Sequence, residues 1–532
     1  MNKLRLFVLL ALAASAAAPT AYGAATSEGD KEENLPAYEM PIFYVYGERL
    51  SDTALAGSKT PQELKDMPAS LSIINSDEIE RLGVYRLTDA LEYSAGITVS
   101  PRGDDNLFNM SKIRGFDVSH SNLIVDGMKT FTTTDNVFSP EIYGVEQVEI
   151  LRGPASTFYG TGLGGGTINL ATKSPKPENR AEVQLQMGSQ ATRMAAFDVN
   201  GVTKDGTLYG RVVGILREND LFYDHTEQKR MYLAPSLTKE FSDKTKLTLK
   251  AFFQEDIIDG YAYLPRRRLP EDPLYGILPD KYFVGVKGWD TYELRQTGAS
   301  YELEHAFSPQ VSFHQHASYR HTDIKSYQTT GVLRGPMFMR WGAMIDSEAT
   351  AYFSDQFIQL HQEGKRGAAD TLFGFDWRYE NTSDKQGMRM LSMWTLPQIR
   401  GYVGGAPIPA DPDTVMPMDD LDYWSRERGL YVMHTQSVGR FTLSGGVRRG
   451  LYAQYSRRDD EGYRQGAWTG QAGVVYDAGK GFHPYLHWNN SFEPSAFHDA
   501  SGRLLGPTTG QEWELGVHYI PRPNVQVTAS LF

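Results

Sequence analysis

The chain has 532 residues, no cysteine and a formal net charge of −12. Without cysteine there is no disulfide framework and no thiolate metal site, and the acidic balance argues against a nucleic-acid partner, whose phosphates need a basic patch. Aromatic residues make up 12% of the chain, with 30 tyrosines, an excess that the two interfacial girdles of an outer-membrane barrel would account for.

Taken in chain order, Lys3 and Arg5 precede the apolar run Leu6 to Ala18, and the small residues Ala21, Gly23 and Ala25 offer a cleavage site. Residues 1–25 therefore read as a secretory signal. Past it no run of about 18 consecutive apolar residues occurs, so a helical membrane span is not expected; a secreted chain can still span as a barrel. Residues 26–49 are polar around one β-prone run, Pro41 followed by Ile42, Phe43, Tyr44, Val45 and Tyr46. Such a run suits addition as an extra strand to a partner's sheet, or serves as the first strand of the domain that follows.

Residues 50–177 mix strand and helix signals and predict a compact α+β domain. Ser76-Asp77-Glu78-Ile79 predicts a helix start with Ser76 as its cap, and Thr88 to Glu92 predicts a second. The run Gly144 to Lys173 holds Gly160, Gly162 and Gly165 in G-x-G-x-x-G spacing, but the residues that follow, Thr167 to Thr172, are β-prone. A dinucleotide fingerprint must open a helix, so a glycine-rich turn between strands is the better reading.

From about Ala181 onward, segments of roughly ten residues alternate apolar and polar positions. Leu247, Leu249, Ala251 and Phe253 face one way and Lys246, Thr248 and Lys250 the other; Phe441, Leu443 and Val447 oppose Thr442, Ser444 and Arg448. Short turns at Lys204–Gly206, Phe241–Lys244, Ser308-Pro309, Gly364–Arg366, Val438-Gly439, Ala478–Lys480 and Pro521–Asn524 alternate with longer connections, notably Asp259–Tyr292, Ser326–Asp346 and Ser383–Glu427. Short turns at one end and long loops at the other are the asymmetry of an outer-membrane β-barrel. Residues 178–532 are assigned to it, with about 15 antiparallel strands. An odd count leaves an unpaired edge in lipid, so a C-terminally truncated barrel is expected.

The glycine-rich run is where a family resemblance becomes specific. Gly144 to Lys173 resembles the plug signature of TonB-dependent outer-membrane receptors, as do Thr60–Leu64, Asp66–Ser70, Ile113-Arg114-Gly115-Phe116 and Val125-Asp126-Gly127. Leu264 to Phe283, Gly288 to Phe307, Ser491–Pro494 and Pro507–Gly516 resemble the ferrichrome and hydroxamate-siderophore subgroup. The resemblance implies a barrel of about 22 strands when complete, with the plug in its lumen. It implies active transport of a ferric siderophore across the outer membrane of a Gram-negative bacterium. Energy would come from TonB with ExbB and ExbD, and the TonB-binding segment would be Ile42–Tyr46. Too few residues precede that segment for the signalling domain of transcription-regulating members.

Further implications fall on single residues. Arg114 and Arg152 would lock the plug to barrel glutamates, with Glu514 one of them; strand parity also turns Glu512, Glu514 and His518 to the lumen. The second family glutamate would lie beyond Phe532, leaving the lock short of negative charge. Ligand contacts would come from Arg102 at one plug apex and from Phe131, Asp135 and Asn136 at the other. Tyr263, Arg267, Trp289 and Trp341 in the outer loops could stack on or pair with an anionic chelate. Iron arrives wrapped in its chelator, so no protein cofactor or metal ligand is implied, and His314 and His316 read as lumen residues. The sequence has no G-x-S-x-G or H-E-x-x-H pattern. The rivals are uptake of cobalamin, haem or a glycan; a barrel enzyme, which would lack the plug; and an inactive fragment. The outer loops are also where a phage or bacteriocin would attach.

Overall fold

The computed structural model describes residues 53–100, 109–118, 122–131, 138–260, 262–263, 281, 283, 285–334, 337–365, 367–395, 416–522 and 525–532. The signal and Ile42–Tyr46 lie outside these residues, as do Arg102, Asp135, Asn136 and Arg267. Among the described residues no helix is long and apolar enough to cross a membrane.

The elements up to Thr172 belong to a small mixed unit. It opens with β1 (Thr53–Ala54), β2 (Gln62–Glu63) and β3 (Leu71–Asn75), then the helices α1 (Ser76–Leu82) and α2 (Leu87–Leu91). There follow β4 (Ile97–Val99), β5 (Ser111–Ile113), β6 (Phe116–Asp117), β7 (Leu123–Val125) and β8 (Met128–Lys129). It closes with β9 (Val145–Arg152), the single turn α3 (Ser156–Tyr159) and β10 (Gly166–Thr172). Its main sheet runs β3-β9-β10-β7-β8, and β4-β5-β6 form a second. Central β9 is buried along nearly its whole length, and Leu87, Leu91, Ile113, Val148, Ile150 and Leu170 make the core beneath it. The helix cap is Asn75, not Ser76: the Asn75 side chain accepts from the Glu78 amide and Ser76 is already helical. An asparagine in extended conformation supplies the missing acceptor as well as serine does.

The rest is one large sheet. Its early strands are β11 (Arg180–Met187), β12 (Arg193–Val202), β13 (Leu208–Asp220), β14 (Glu227–Ser242) and β15 (Thr245–Asp259). A two-residue strand, β16 (Ala262–Tyr263), precedes β17 (Thr291–Ser308) and β18 (Val311–Arg334). Then come β19 (Met337–Gly364), β20 (Gly367–Thr395), β21 (Met416–Val438) and β22 (Phe441–Ser456). The last are β23 (Glu461–Tyr476), β24 (Phe482–Glu493), β25 (Thr508–Arg522) and β26 (Val525–Leu531). All but β16 pair antiparallel with their chain neighbours, while β16 pairs in parallel with β18. The fold is an antiparallel β-barrel wall around an α+β plug.

Alternation gives this wall two chemically distinct faces. On β22 Phe441, Leu443, Val447 and Leu451 are exposed, whereas Thr442 and Arg448 are buried against the plug side. Outward rings form a chain of contacts across five strands, Tyr319–Tyr352–Tyr379–Trp424–Tyr455. Near the short turns Phe441–Tyr476, Phe482–Tyr519 and His305–Phe307 form a second set. From Phe441 to Tyr455, a strand rising about 3.3 Å per residue and tilted about 45° climbs about 33 Å, close to the roughly 30 Å of bilayer hydrocarbon. The two sets of rings bracket a membrane-sized apolar band.

The expected loops Ser326–Asp346 and Ser383–Glu427 are for the most part strand. β18 continues to Arg334 and pairs with β19 from Met337, and β20 continues to Thr395. Between antiparallel partners each backbone group is already satisfied, so pairing persists beyond the bilayer whatever the polarity of the side chains. Replacing outward Val447, midway between the rings, by arginine is expected to cost about 2–4 kcal/mol in a bilayer. Urea titration of the protein folded into lipid vesicles measures this, with exposed Asp459→Arg as a control expected to change little.

Candidate functional site

The most heavily built region is the boundary between plug and wall, and two tight turns organise it. In Ile113-Arg114-Gly115-Phe116, β5 and β6 pair across two residues with φ of 51° at Arg114 and 86° at Gly115. In Val125-Asp126-Gly127-Met128, β7 and β8 do the same, with φ of 51° at Asp126 and 75° at Gly127. Two consecutive positive φ values make the hairpin turn that matches strand twist, and glycine takes the second position without steric cost. Holding a non-glycine residue at the first position is unfavourable, and in both turns that residue is the charge that reaches the wall.

Arg114 Nη1 donates to Glu512 Oε1 at 2.7 Å and Nη2 to Glu514 Oε2. Glu514 also accepts from the Ser70 amide at 2.8 Å and from the Tyr485 hydroxyl at 2.6 Å. The Phe532 ring lies 3.6 Å from the guanidinium carbon. A Cβ at Gly153 would collide with the Glu512 carboxylate, which explains glycine after Arg152. Of the expected lock, Arg114 and Glu514 meet directly, Glu512 adds a second carboxylate among the described residues, and Arg152 makes no hydrogen bond to either glutamate. Arg152 donates instead to the Ala95 carbonyl and the Ser72 hydroxyl, both at 2.8 Å. Burial and the nearby Arg114 cation hold its pKa down to about 10.

Asp126 accepts from the Thr172 amide at 2.8 Å and lies 3.1 Å from Lys250 of β15. Three further anchors escaped the sequence reading. Glu427 of β21 accepts from the Thr161 amide at 2.7 Å and hydroxyl at 2.9 Å, with Lys129 at 3.5 Å and Arg448 at 3.6 Å. Glycine at 160 is required there because a Cβ would strike the same carboxylate. Glu141 of the plug faces Arg217 at 3.3 Å and Arg230 at 3.0 Å. Lys59 meets Asp355 of β19 at 2.6 Å, and the Tyr431 hydroxyl meets the same carboxylate at 2.7 Å. The wall partners were legible in principle, as charged residues at inward positions of amphipathic strands.

The segment Thr53–Lys59 is strapped across this boundary. Fully buried Glu149 of β9 accepts from the amides of Leu55 and Ala56, at 3.2 and 2.7 Å, while Gln147 donates to the Thr53 carbonyl at 2.9 Å. Burial pushes the Glu149 carboxyl up, partly offset by these donors and by Asn169.

Of the residues assigned to ligand, Phe131 is 2% exposed in the plug core and Trp289 is packed against Tyr327, ring centres 5.8 Å apart. Both are buried, Phe131 within the apolar cluster of the plug and Trp289 with its indole N–H unpaired among the described residues. Tyr263 lies in β16 opposite Thr330, and half-buried Trp341 in β19 also pairs with Thr330. His314 sits against Phe357, ring centres 4.8 Å apart and stacked. Among the described residues the ligand atoms that converge are instead those of His321, Asp323 and Glu348, partly or fully exposed on the outer face.

Asp290 closes the base of the β15–β17 connection. It is fully buried, accepts from the amides of Val286 and Thr329, and takes the Thr329 hydroxyl at 2.9 Å. Burial raises its pKa to about 6, against the opposing effect of those donors and of Arg340. A raised carboxyl contributes stability that is full below its ordinary value near 4 and is lost as pH rises through about 6. Protection of the Val286 and Thr329 amides from hydrogen exchange, corrected for intrinsic rate, is expected to be about tenfold greater at pH 5 than at pH 7.5. Asp290→Asn should abolish the difference.

Arg114→Met leaves two carboxylates together in a buried site and should destabilise the protein by about 3–5 kcal/mol. Adding Glu512→Gln and Glu514→Gln should recover much of the loss in denaturant titrations; a triple variant no more stable than the single one would rule out charge as the anchor.

Comparisons with known proteins agree with this architecture. Residues 63–167 match the TonB-dependent Receptor Plug Domain and residues 240–532 match the TonB dependent receptor-like β-barrel. The chain is 26% identical over 495 residues to the ferrioxamine receptor of Yersinia enterocolitica, covering 88% of this chain and 67% of that protein. It is 26% identical over 519 residues to the ferrichrome outer membrane transporter/phage receptor of Escherichia coli, covering 90% and 68%. The crystal structure of the ferripyoverdine receptor of Pseudomonas aeruginosa superposes with a TM-score of 0.76 at 20% identity, covering 88% of this chain and 63% of that one. The chain thus spans about two thirds of the length of these relatives. On the match of its barrel and its plug, it belongs to the TonB-dependent receptors.

Proposed function

We propose that the protein imports a ferric siderophore across the outer membrane of a Gram-negative bacterium, as a receptor and not as an enzyme. The observation that carries this reading is a family-typed plug seated inside a family-typed barrel and tied to its wall by buried ion pairs. A plugged barrel does not conduct by diffusion, so passage needs work on the plug. That work would come from TonB with ExbB and ExbD, through a strand added at Ile42–Tyr46. The relatives named for ferrioxamine and ferrichrome support a hydroxamate chelate as cargo, with iron entering as part of the chelate and not as a resident cofactor. Arg102, Phe131, Asp135, Asn136, Tyr263, Arg267, Trp289 and Trp341 remain the proposed ligand contacts. A relative named as a phage receptor and a solved pyocin complex of another support phage or bacteriocin attachment as a second use of the outer loops.

Uptake of iron-55 chelates by cells expressing the protein, with hydroxamates compared with catecholates, tests the reading. Hydroxamate uptake that disappears on deletion of Ile42–Tyr46, while surface binding persists, is the expected result. Binding and uptake of haem or cobalamin alone would replace the siderophore assignment.

A further inference from the structure

Among the described residues, one buried cation at the plug boundary has no hydrogen-bonded counter-charge, with Asp126 acting on it only through space. Arg320 points inward from β18 and is 5% exposed, yet its Nε and Nη1 have no hydrogen-bond partner. Its cross-strand neighbours are Gly298 and Ala351, too small to satisfy or cover it. The guanidinium carbon lies 5.0 Å from the ring centre of Phe138 and 5.9 Å from that of Phe252, and those two rings meet edge to face. Arg320 lines a cavity of about 60 Å³ between plug and wall. Two carboxylates also line it, but Asp126 is taken by Lys250 and Thr172, and Glu141 by Arg217 and Arg230.

An arginine stays protonated inside a protein, and a buried charge without a counter-charge is costly. Buried polar atoms left unpaired call for a bound ion or water. The aromatic rings cover part of the guanidinium, and its Nη1 N–H, side by side with that of Nη2, completes an end-on fork suited to two oxygens of one planar anion. At about 30 Å³ per water the cavity holds about two waters, room for a formate-sized group and far too little for a whole chelate.

We propose that this cavity is an anion site in which Arg320 receives a small planar oxyanion, of the carboxylate type, at the boundary between plug and barrel. The anion is either free in solution or the acidic end of a chelate passing the plug; only the second source rests on the transport function proposed above.

The test uses the purified protein in detergent and sodium formate, titrated at constant ionic strength against a bulky sulfonate. A saturable rise in thermal midpoint with formate, absent in Arg320→Met and reduced in Arg320→Lys, is expected. Wild-type protein that shows no saturable difference between formate and the sulfonate overturns the site, whether or not the variants fold. In cells, iron-55 uptake is then compared for a carboxylate-bearing and an uncharged hydroxamate chelate. An Arg320→Met loss of at least fivefold confined to the acidic chelate, with unchanged surface affinity, assigns the anion to the cargo; equal uptake of both, with the formate response intact, assigns it to a free anion. Failure of the parent protein to import any chelate would count against the transport function and leave the formate result standing.

Discussion

A barrel whose outer face is apolar must put its charges inside, and inside they lie away from water. That constraint shapes the whole plug boundary. Each inward carboxylate or cation of the wall needs a counter-charge and hydrogen bonds, because burying it alone costs more than any surface pair returns. Some are paired within the wall, as Arg448 with Asp376 and Arg211 with Asp198, and for others the plug supplies the counter-charge: Arg114 for Glu512 and Glu514, Asp126 for Lys250, Glu141 for Arg217 and Arg230, Lys59 for Asp355, and the Thr161 backbone with Lys129 for Glu427. Plug and wall are therefore parts of one electrostatic unit, and neither has a satisfied interior without the other.

Much of this was legible in the sequence. Period-two alternation gives the wall its two faces, and the parity argument correctly turned Glu512, Glu514 and His518 inward, because a strand admits only two side-chain directions. What escaped was pairing at a distance: nothing local in Arg448 or Glu427 says that they share a site with Thr161. The reach of β18 to β21 escaped for a different reason. Polarity marks where the membrane ends, whereas strand pairing ends where backbone groups find other partners, and the two limits need not coincide. The motif of Arg152 carries a basic residue but not its hydrogen-bond partners, which are the Ala95 carbonyl and Ser72 hydroxyl of the plug, while Glu514 acts on it through space.

The two hairpin tips show how a small unit can hold opposite charges apart. Arg114 and Asp126 each stand at the first position of a turn that glycine completes, one aimed at β25 and the other at β15. A longer loop would bring each charge to the wall with a larger loss of conformational freedom. Tight turns fix the charge before it meets its partner. The same logic explains Gly153 and Gly160, where any side chain would occupy the place of a wall carboxylate.

The strap Thr53–Lys59 has a mechanical consequence. Its attachments follow one another along the chain: Thr53 to Gln147, Leu55 and Ala56 to Glu149, Gly57 to Tyr159, Lys59 to Asp355. Tension applied ahead of Thr53 therefore loads them in series, and each yields before the next is strained. Strands β3, β9 and β10 lie side by side and share a load in parallel. The attachments of the entry are reached one or two at a time, whereas those of the sheet are shared among neighbouring strands.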